Sequence, residues 1–334
     1  MTPLSGRRLD LDRAKGLAIL LVVFGHIVAR QDPSGVHWYE PIRRAIYAFH
    51  MPFFMYLSGY VSALSVRPIG SWSDWRTLAH HRAQRLLRPF CLIGLLIVIG
   101  KMAASSVMHV DHRPDSLGSG LIHLVWHTDQ SPALSIWYLA VLFMLAVIVP
   151  VLLALDHGRV RLALLVALLL YPCALPRVFY IDRVAVYGLF FILGLIAGRA
   201  GFAWIGLIRR WGSITLAVLL MGCVAVAAWP ALPPRLCLLI MGCLSMPALH
   251  SLVISGPLSS SLVFERLGRY SLMIYLFNTI FIGLAKGLLL LVWSWNGIDF
   301  IGFAICLMVC GVVGPVALKN YGLKYWPALD RLTD

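Results

Sequence analysis

The sequence predicts an all-α, polytopic transmembrane helical bundle forming a single membrane-embedded domain over residues 1–334. Three observations predict it. Of the 334 residues, 60% are hydrophobic and only 13% are charged, roughly half the charged fraction of a soluble domain. Mean hydropathy is +0.85. Apolar runs of crossing length recur from end to end, and they are continuous rather than alternating, which argues against a β-barrel.

About ten spans are expected, near 14–30, 45–65, 89–108, 135–155, 162–176, 184–199, 212–229, 235–255, 270–291 and 300–318. With the N-terminus cytoplasmic, the segments on that side collect 19 of the 28 lysines and arginines, Arg7 and Arg8 among them. An even count then returns the C-terminus to the same side. The net charge of +14 follows this positive-inside pattern. It builds no soluble basic face, so no nucleic acid is expected as a partner, and membrane lipids are. A basic start and an apolar run resemble a signal peptide, but no small-residue cleavage site follows, so the first helix reads as retained.

The first span opens with Asp10, Asp12, Arg13 and Lys15 and carries His26 deep into its apolar run. Lys15 and His26 are eleven residues apart, about three turns and 20°, so they share a face some ~16 Å apart along the axis. An ionisable group at membrane depth is costly and marks a functional candidate; the alternative is a neutral histidine bonded to a neighbouring helix. The second span holds His50 and then Pro52, which should break the helix locally, and Ser58-Gly59, which allows close helix approach.

The 66–88 loop ends in Arg82, Arg85 and Arg88 before Pro89. Two neighbouring guanidinium groups suit a phosphate-bearing ligand, and they equally suit anchoring to lipid headgroups. The outer segment 109–134 carries His109, Asp111, His112, Asp115, His123, His127 and Asp129. His123 and His127 have a metal-binding spacing but no accompanying glutamate, so a solvated polar loop is expected and no metal site. Trp137 and Tyr138 open the fourth span at the interface. Spans five to eight are expected to carry little polar chemistry, with Arg177, Asp182 and Arg183 able to pair at an outer turn. The ninth span brings Tyr275, the buried amide Asn278, and Lys286, which is expected to snorkel.

Cys91, Cys173, Cys223, Cys237, Cys243, Cys306 and Cys310 lie in or beside apolar runs and form no CxxC pair, so buried free thiols are expected. The sequence contains no Walker motif, dinucleotide fingerprint or nucleophile elbow.

Taken together, four stretches are similar to the acyltransferase 3 family of integral membrane O-acyltransferases. They are the opening D-x-x-K-G with Asp12, Lys15, Gly16 and His26; FHMPFFMYLSGY with His50, Pro52, Ser58 and Gly59; the R-x-x-R pair Arg82 and Arg85; and W-Y-L at 137–139 with L-G-x-x-S-L-x-I-Y-L at 267–276. Many relatives place a histidine shortly after the last motif, where this chain has Asn278. The resemblance implies a protein of the bacterial cytoplasmic (inner) membrane. It would transfer an acyl group, most often acetyl, from cytoplasmic acyl-CoA (acetyl-CoA as co-substrate) to a carbohydrate hydroxyl of a surface polysaccharide or its lipid-linked precursor. On that reading His26 is the general base or a transient acyl carrier, and His50 is a second polar group facing the cavity. Lys15 and Asp12 stand at the donor entrance, with Arg82 and Arg85 on the coenzyme A phosphates. Ser58, Trp137, Tyr275 and Asn278 line the substrate site. A rival from another class is a transporter or flippase for a lipid-linked sugar that uses the buried histidines as proton sites.

Overall fold

The computed structural model describes residues 8–28, 33–65, 69–105, 112–330 and 333. Arg7, His109 and Asp111, named above, lie outside them. The described residues are helical throughout, with no β-strand. The helices are α1 (Leu9–His26), α2 (Tyr39–Tyr47), α3 (His50–Ser65), α4 (Trp72–Arg82), α5 (Arg88–Ala104), α6 (Leu117–Val125), α7 (Trp137–Leu155) and α8 (Arg161–Leu170). They continue with α9 (Ile181–Ala200), α10 (Phe202–Ala228), α11 (Pro234–Ile254), α12 (Leu262–Arg269), α13 (Ser271–Leu289), α14 (Asp299–Ala317) and α15 (Pro327–Asp330).

Among the described residues, seven helical stretches are long and apolar enough to cross a membrane: 72–104, 134–155, 181–200, 202–228, 234–254, 271–289 and 299–325. The expected ten is not reached on length and composition. The remaining three expected spans correspond to α1, whose first turns are charged, to α3 at 16 residues, and to α8 at 10 residues. Outward faces carry apolar side chains at helical spacing, such as Ile301, Ile305, Val309 and Val313 on α14 and Leu92, Leu96 and Ile99 on α5. Such stripes suit lipid contact.

Lipid tails are as apolar as the side chains, so helix association rests on close packing and hydrogen bonds. Two seams supply it. A Cβ on Gly16 would sit 2.0 Å from the Phe264 carbonyl oxygen, and one on Gly268 would sit 1.8 Å from that of Asp12. Backbone therefore lies against backbone between α1 and α12. Along the second seam, Gly59 meets Phe191, Gly194 meets Tyr56 and, one turn further on both helices, Gly198 meets Tyr60, so α3 and α9 run side by side in the same direction. Phe53, Phe190, Phe191, Phe300 and Phe303 fill the space between the helices and are fully buried.

The break expected near Pro52 falls just before it. The helix stops at Tyr47, turns through Ala48 and Phe49, and restarts at His50, which puts Pro52 in the first turn of α3. There its missing N–H costs least. On the other side of the bundle, α4 runs into α5 through one π turn, Ala83–Leu87. Pro89 cannot donate to the carbonyl four residues back, and the ladder widens ahead of it.

Several sequence expectations are corrected. All seven cysteines are free, but Cys91 and Cys173 are exposed and the rest only partly covered. No ion pair forms among Arg177, Asp182 and Arg183: the Arg177 carbonyl accepts from Thr128, and the Arg183 guanidinium stacks on Trp137. Lys286 lies 3.8 Å from the Trp295 ring centroid, a cation–π contact. The expectation of little polar chemistry in spans five to eight fails at His250, described below.

Candidate functional site

His26 is the last residue of α1 and keeps part of its surface accessible. Its Nδ1 lies 2.7 Å from Oδ1 of Asn278, on α13. Asn278 is fully buried, and its Nδ2 donates to the carbonyls of Ile274 and Tyr275, each at 2.8 Å. Both amide N–H bonds are thereby used, so Oδ1 can only accept. His26 must donate from Nδ1, which leaves Nε2 as a bare lone pair. A neutral amide thus fixes the tautomer that a base requires.

His50 stands nearby. Its Nδ1–H donates to the Ile46 carbonyl at 2.9 Å across the break between α2 and α3, so its Nε2 is also the acceptor nitrogen. Tyr47 links the two histidines. Its hydroxyl donates to the Gly25 carbonyl, and its ring packs edge-on against His50 with centroids 4.8 Å apart.

A cavity of about 170 Å³ opens beside α3, α7 and α13. Lys15, Arg82 and Arg85 line it together with Ser58, Tyr138 and Tyr275, and no carboxylate does. The π turn carries Arg85 round so that it faces the same space as Arg82. Two guanidinium groups and an ammonium on one cavity wall suit phosphate groups. The far wall is a hydrogen-bonded chain. Ser58 donates to the Phe54 carbonyl, which leaves its oxygen to accept from the Tyr138 hydroxyl, and the Tyr138 backbone N–H donates to the Tyr275 hydroxyl at 3.2 Å. Tyr275 also supplies one of the carbonyls that anchor Asn278. The cationic cavity and the His26 anchor are therefore one helical turn apart on α13.

A second buried histidine was missed by sequence reasoning. His250 on α11 is fully buried, and its Nδ1 accepts from the Tyr56 hydroxyl at 2.7 Å, while Tyr56 accepts from the Trp204 indole N–H at 2.7 Å. Its Nε2 points at the Asp10 carboxylate, 3.7 Å away, which Arg8 grips with two bonds of 2.9 and 2.7 Å. Burial alone would raise the Asp10 carboxyl, but the nearby His250 ring and the two bonds from Arg8 outweigh it and hold the group well below the carboxylate range. The chain ties the start of α1 to α3, α10 and α11. Its sequence signal was a histidine inside an apolar run, the same signal that singled out His26.

A family model described as an acyltransferase domain matches residues 8–319. The chain belongs to the acyltransferase 3 family. It is also similar to the nodulation protein NolL of Sinorhizobium fredii, 34% identical over 104 residues, which is 30% of this chain and 27% of that protein. The nodulation protein NolL of Mesorhizobium japonicum is 43% identical over 61 residues, 18% of this chain and 16% of its own. The chain thus aligns with about a quarter or less of the length of these curated relatives. No solved structure matches.

The acyltransferase 3 motifs sort into two groups in space. Lys15, Arg82, Arg85, Ser58 and Tyr275 meet at one cavity. His26, His50 and Asn278 gather at the end of α1 and do not line it. Asn278 was expected to line the substrate site; it is the buried partner of His26 instead. Asp12 is also absent from the cavity wall. It is buried where α1 crosses Gly268 of α12. Trp137 lies apart again, stacked between Arg183 and Tyr187. Among the described residues no group of three His, Cys, Asp or Glu side chains could hold a metal, and His123 and His127 merely pack edge to face.

Proposed function

We propose that this protein is a multi-pass O-acyltransferase of the bacterial cytoplasmic membrane, with about ten spans and both termini cytoplasmic. It takes an acyl group, acetyl in the first instance, from cytoplasmic acyl-CoA and passes it to a sugar hydroxyl of a surface polysaccharide or its lipid-linked precursor. The observation that carries this reading is the cation-lined cavity set one helical turn from the anchor of a correctly tautomerised histidine. Lys15, Arg82 and Arg85 hold the donor's phosphates. The arm of coenzyme A then has to bridge the ~16 Å of α1 between Lys15 and His26. Nε2 of His26 takes the proton from the sugar hydroxyl as its oxygen attacks the thioester carbonyl carbon. When the C–S bond breaks, the imidazolium returns that proton to the thiolate. Asn278 keeps Nδ1 protonated throughout.

The experiment is transfer of label from acetyl-labelled acetyl-CoA in inverted membrane vesicles, comparing wild type with His26→Ala. Label should enter the carbohydrate fraction only in the wild type. A folded His26→Ala protein with normal transfer removes His26 from the chemistry.

A further inference from the structure

The start of α9 carries an arrangement that the donor cavity and the two histidines do not use. Phe179 and Tyr180 both have positive φ, 50° and 58°. Neither residue type adopts that conformation cheaply, and two in succession persist only where the surroundings enforce them. Here they do. The Tyr180 hydroxyl donates to the Leu124 carbonyl at 2.9 Å, the Phe179 N–H donates to the Val125 carbonyl at 3.0 Å, and the Phe179 ring packs on Trp126. The strained corner aims the next two side chains of the helix, Asp182 and Arg183.

Both side chains hold a polar atom away from solvent with nothing to bond: Oδ1 of Asp182 and Nη1 of Arg183. Arg183 lies over Trp137 with its guanidinium carbon 4.6 Å from the ring centroid, and Trp137 packs at 4.8 Å on Tyr187. Arg183, Trp137 and Tyr187 are thus stacked at one corner, and Asp182 with its unpartnered oxygen precedes Arg183 in the same turn of helix. Buried polar atoms without partners are costly and in native proteins ask for an explanation. Their site is also close to the chemistry. Ser135, two residues before Trp137, bonds Thr279, the neighbour of Asn278. Because α3 and α9 run in the same direction with Tyr56 level with Gly194, Arg183 falls a turn or so beyond His50, away from the cationic cavity.

We propose that Asp182, Arg183, Trp137 and Tyr187 form the subsite for a neutral pyranose, the sugar that receives the acyl group. A pyranose matches it in kind: adjacent hydroxyls donate to Asp182 and accept from Arg183, while a C–H face rests on the aromatic rings. The assignment rests on the acyltransferase reading above for its catalytic meaning, but binding can be measured without it.

The test uses purified protein in a detergent without a sugar headgroup. Saturation-transfer NMR is recorded with methyl gluco-, galacto- and mannopyranosides, and acetyl-CoA binding is measured in parallel. Wild type should transfer saturation to the ring protons of at least one glycoside. Asp182→Asn and Arg183→Met should each weaken that binding about tenfold or more, because each removes a hydrogen bond from a charged group. Acetyl-CoA affinity should stay unchanged in both. Gly283→Ala, where a Cβ meets open space, is the folding control and should bind glycoside as wild type does. No saturation transfer to any glycoside in wild-type protein that binds acetyl-CoA overturns the subsite, and so do Asp182→Asn and Arg183→Met proteins that both bind as wild type. Glycoside binding without acetyl-CoA binding supports the subsite and overturns the donor reading.

Discussion

Replacing Asn278 by alanine should lower turnover without touching donor binding. Asn278 accepts the only hydrogen bond seen at Nδ1 of His26, at 2.7 Å, and its amide is locked by two backbone carbonyls. Removing it strands a buried N–H, a loss of about 1–3 kcal/mol. The imidazole can recover part of that by rotating or by moving its proton to Nε2, and either change withdraws the lone pair from the acceptor hydroxyl. If the same energy separates the productive tautomer from its rivals, kcat falls by about 5- to 150-fold. Asn278 does not line the cavity, so acyl-CoA affinity should hold within about twofold. Initial-rate kinetics in vesicles, with acyl-CoA binding measured separately, distinguish the two quantities. Asn278→Asp should retain more activity than Asn278→Ala, because a carboxylate still accepts from Nδ1 and stabilises the imidazolium. Wild-type kcat in Asn278→Ala, or a loss confined to donor affinity, would falsify the orienting role.

Three further outcomes are expected. Arg85→Ala and Arg82→Ala should each weaken acyl-CoA binding about tenfold or more, with kcat at saturation little changed, read by isothermal titration against desulfo or dephospho analogues. Gly268→Ala drives a methyl group to 1.8 Å from the Asp12 carbonyl oxygen, so α1 and α12 must separate; a loss of about 3 kcal/mol or more in stability is expected in detergent unfolding, against a small effect for Gly283→Ala, where a Cβ meets open space. Stability should also depend on acid through Asp10, which lies ahead of the apolar part of α1. Its folded carboxyl is held below the unfolded value, so its contribution is complete above about pH 4 and is lost as pH falls further. Asp10→Asn should flatten that part of the pH–stability curve.

The parts of this protein that were legible in its sequence are those encoded locally. Lys15 and His26 share one helix, Arg82 and Arg85 are neighbours in the chain, and the seven long helices announce themselves by run length. Pairings across distance were not legible. His26 and Asn278 are separated by 252 positions, and Tyr56 and His250 by 194. Nothing in an apolar run says which histidine will meet an amide and which a tyrosine, and His250 was passed over while His26 was not. The partners of Asn278 were illegible for the same reason: an amide buried in a helix needs partners, but only the fold names them. Span counting is least legible where the physics is mixed. The charged first turns of α1 and the ten residues of α8 do not meet a rule built on long uniform helices.

The two glycine seams have a consequence for how such a chain can diversify. At positions 16, 59, 194 and 268 any side chain collides with a neighbouring backbone, whatever the substrate. Those sites are closed to drift. The corner at 179–183 carries no glycine pressed on a neighbouring backbone, and the side chains it presents, Asp182 and Arg183, can change without moving it. New acceptor preferences can therefore arise at that corner while the frame that aligns α1 with α12, and α3 with α9, stays the same in every descendant.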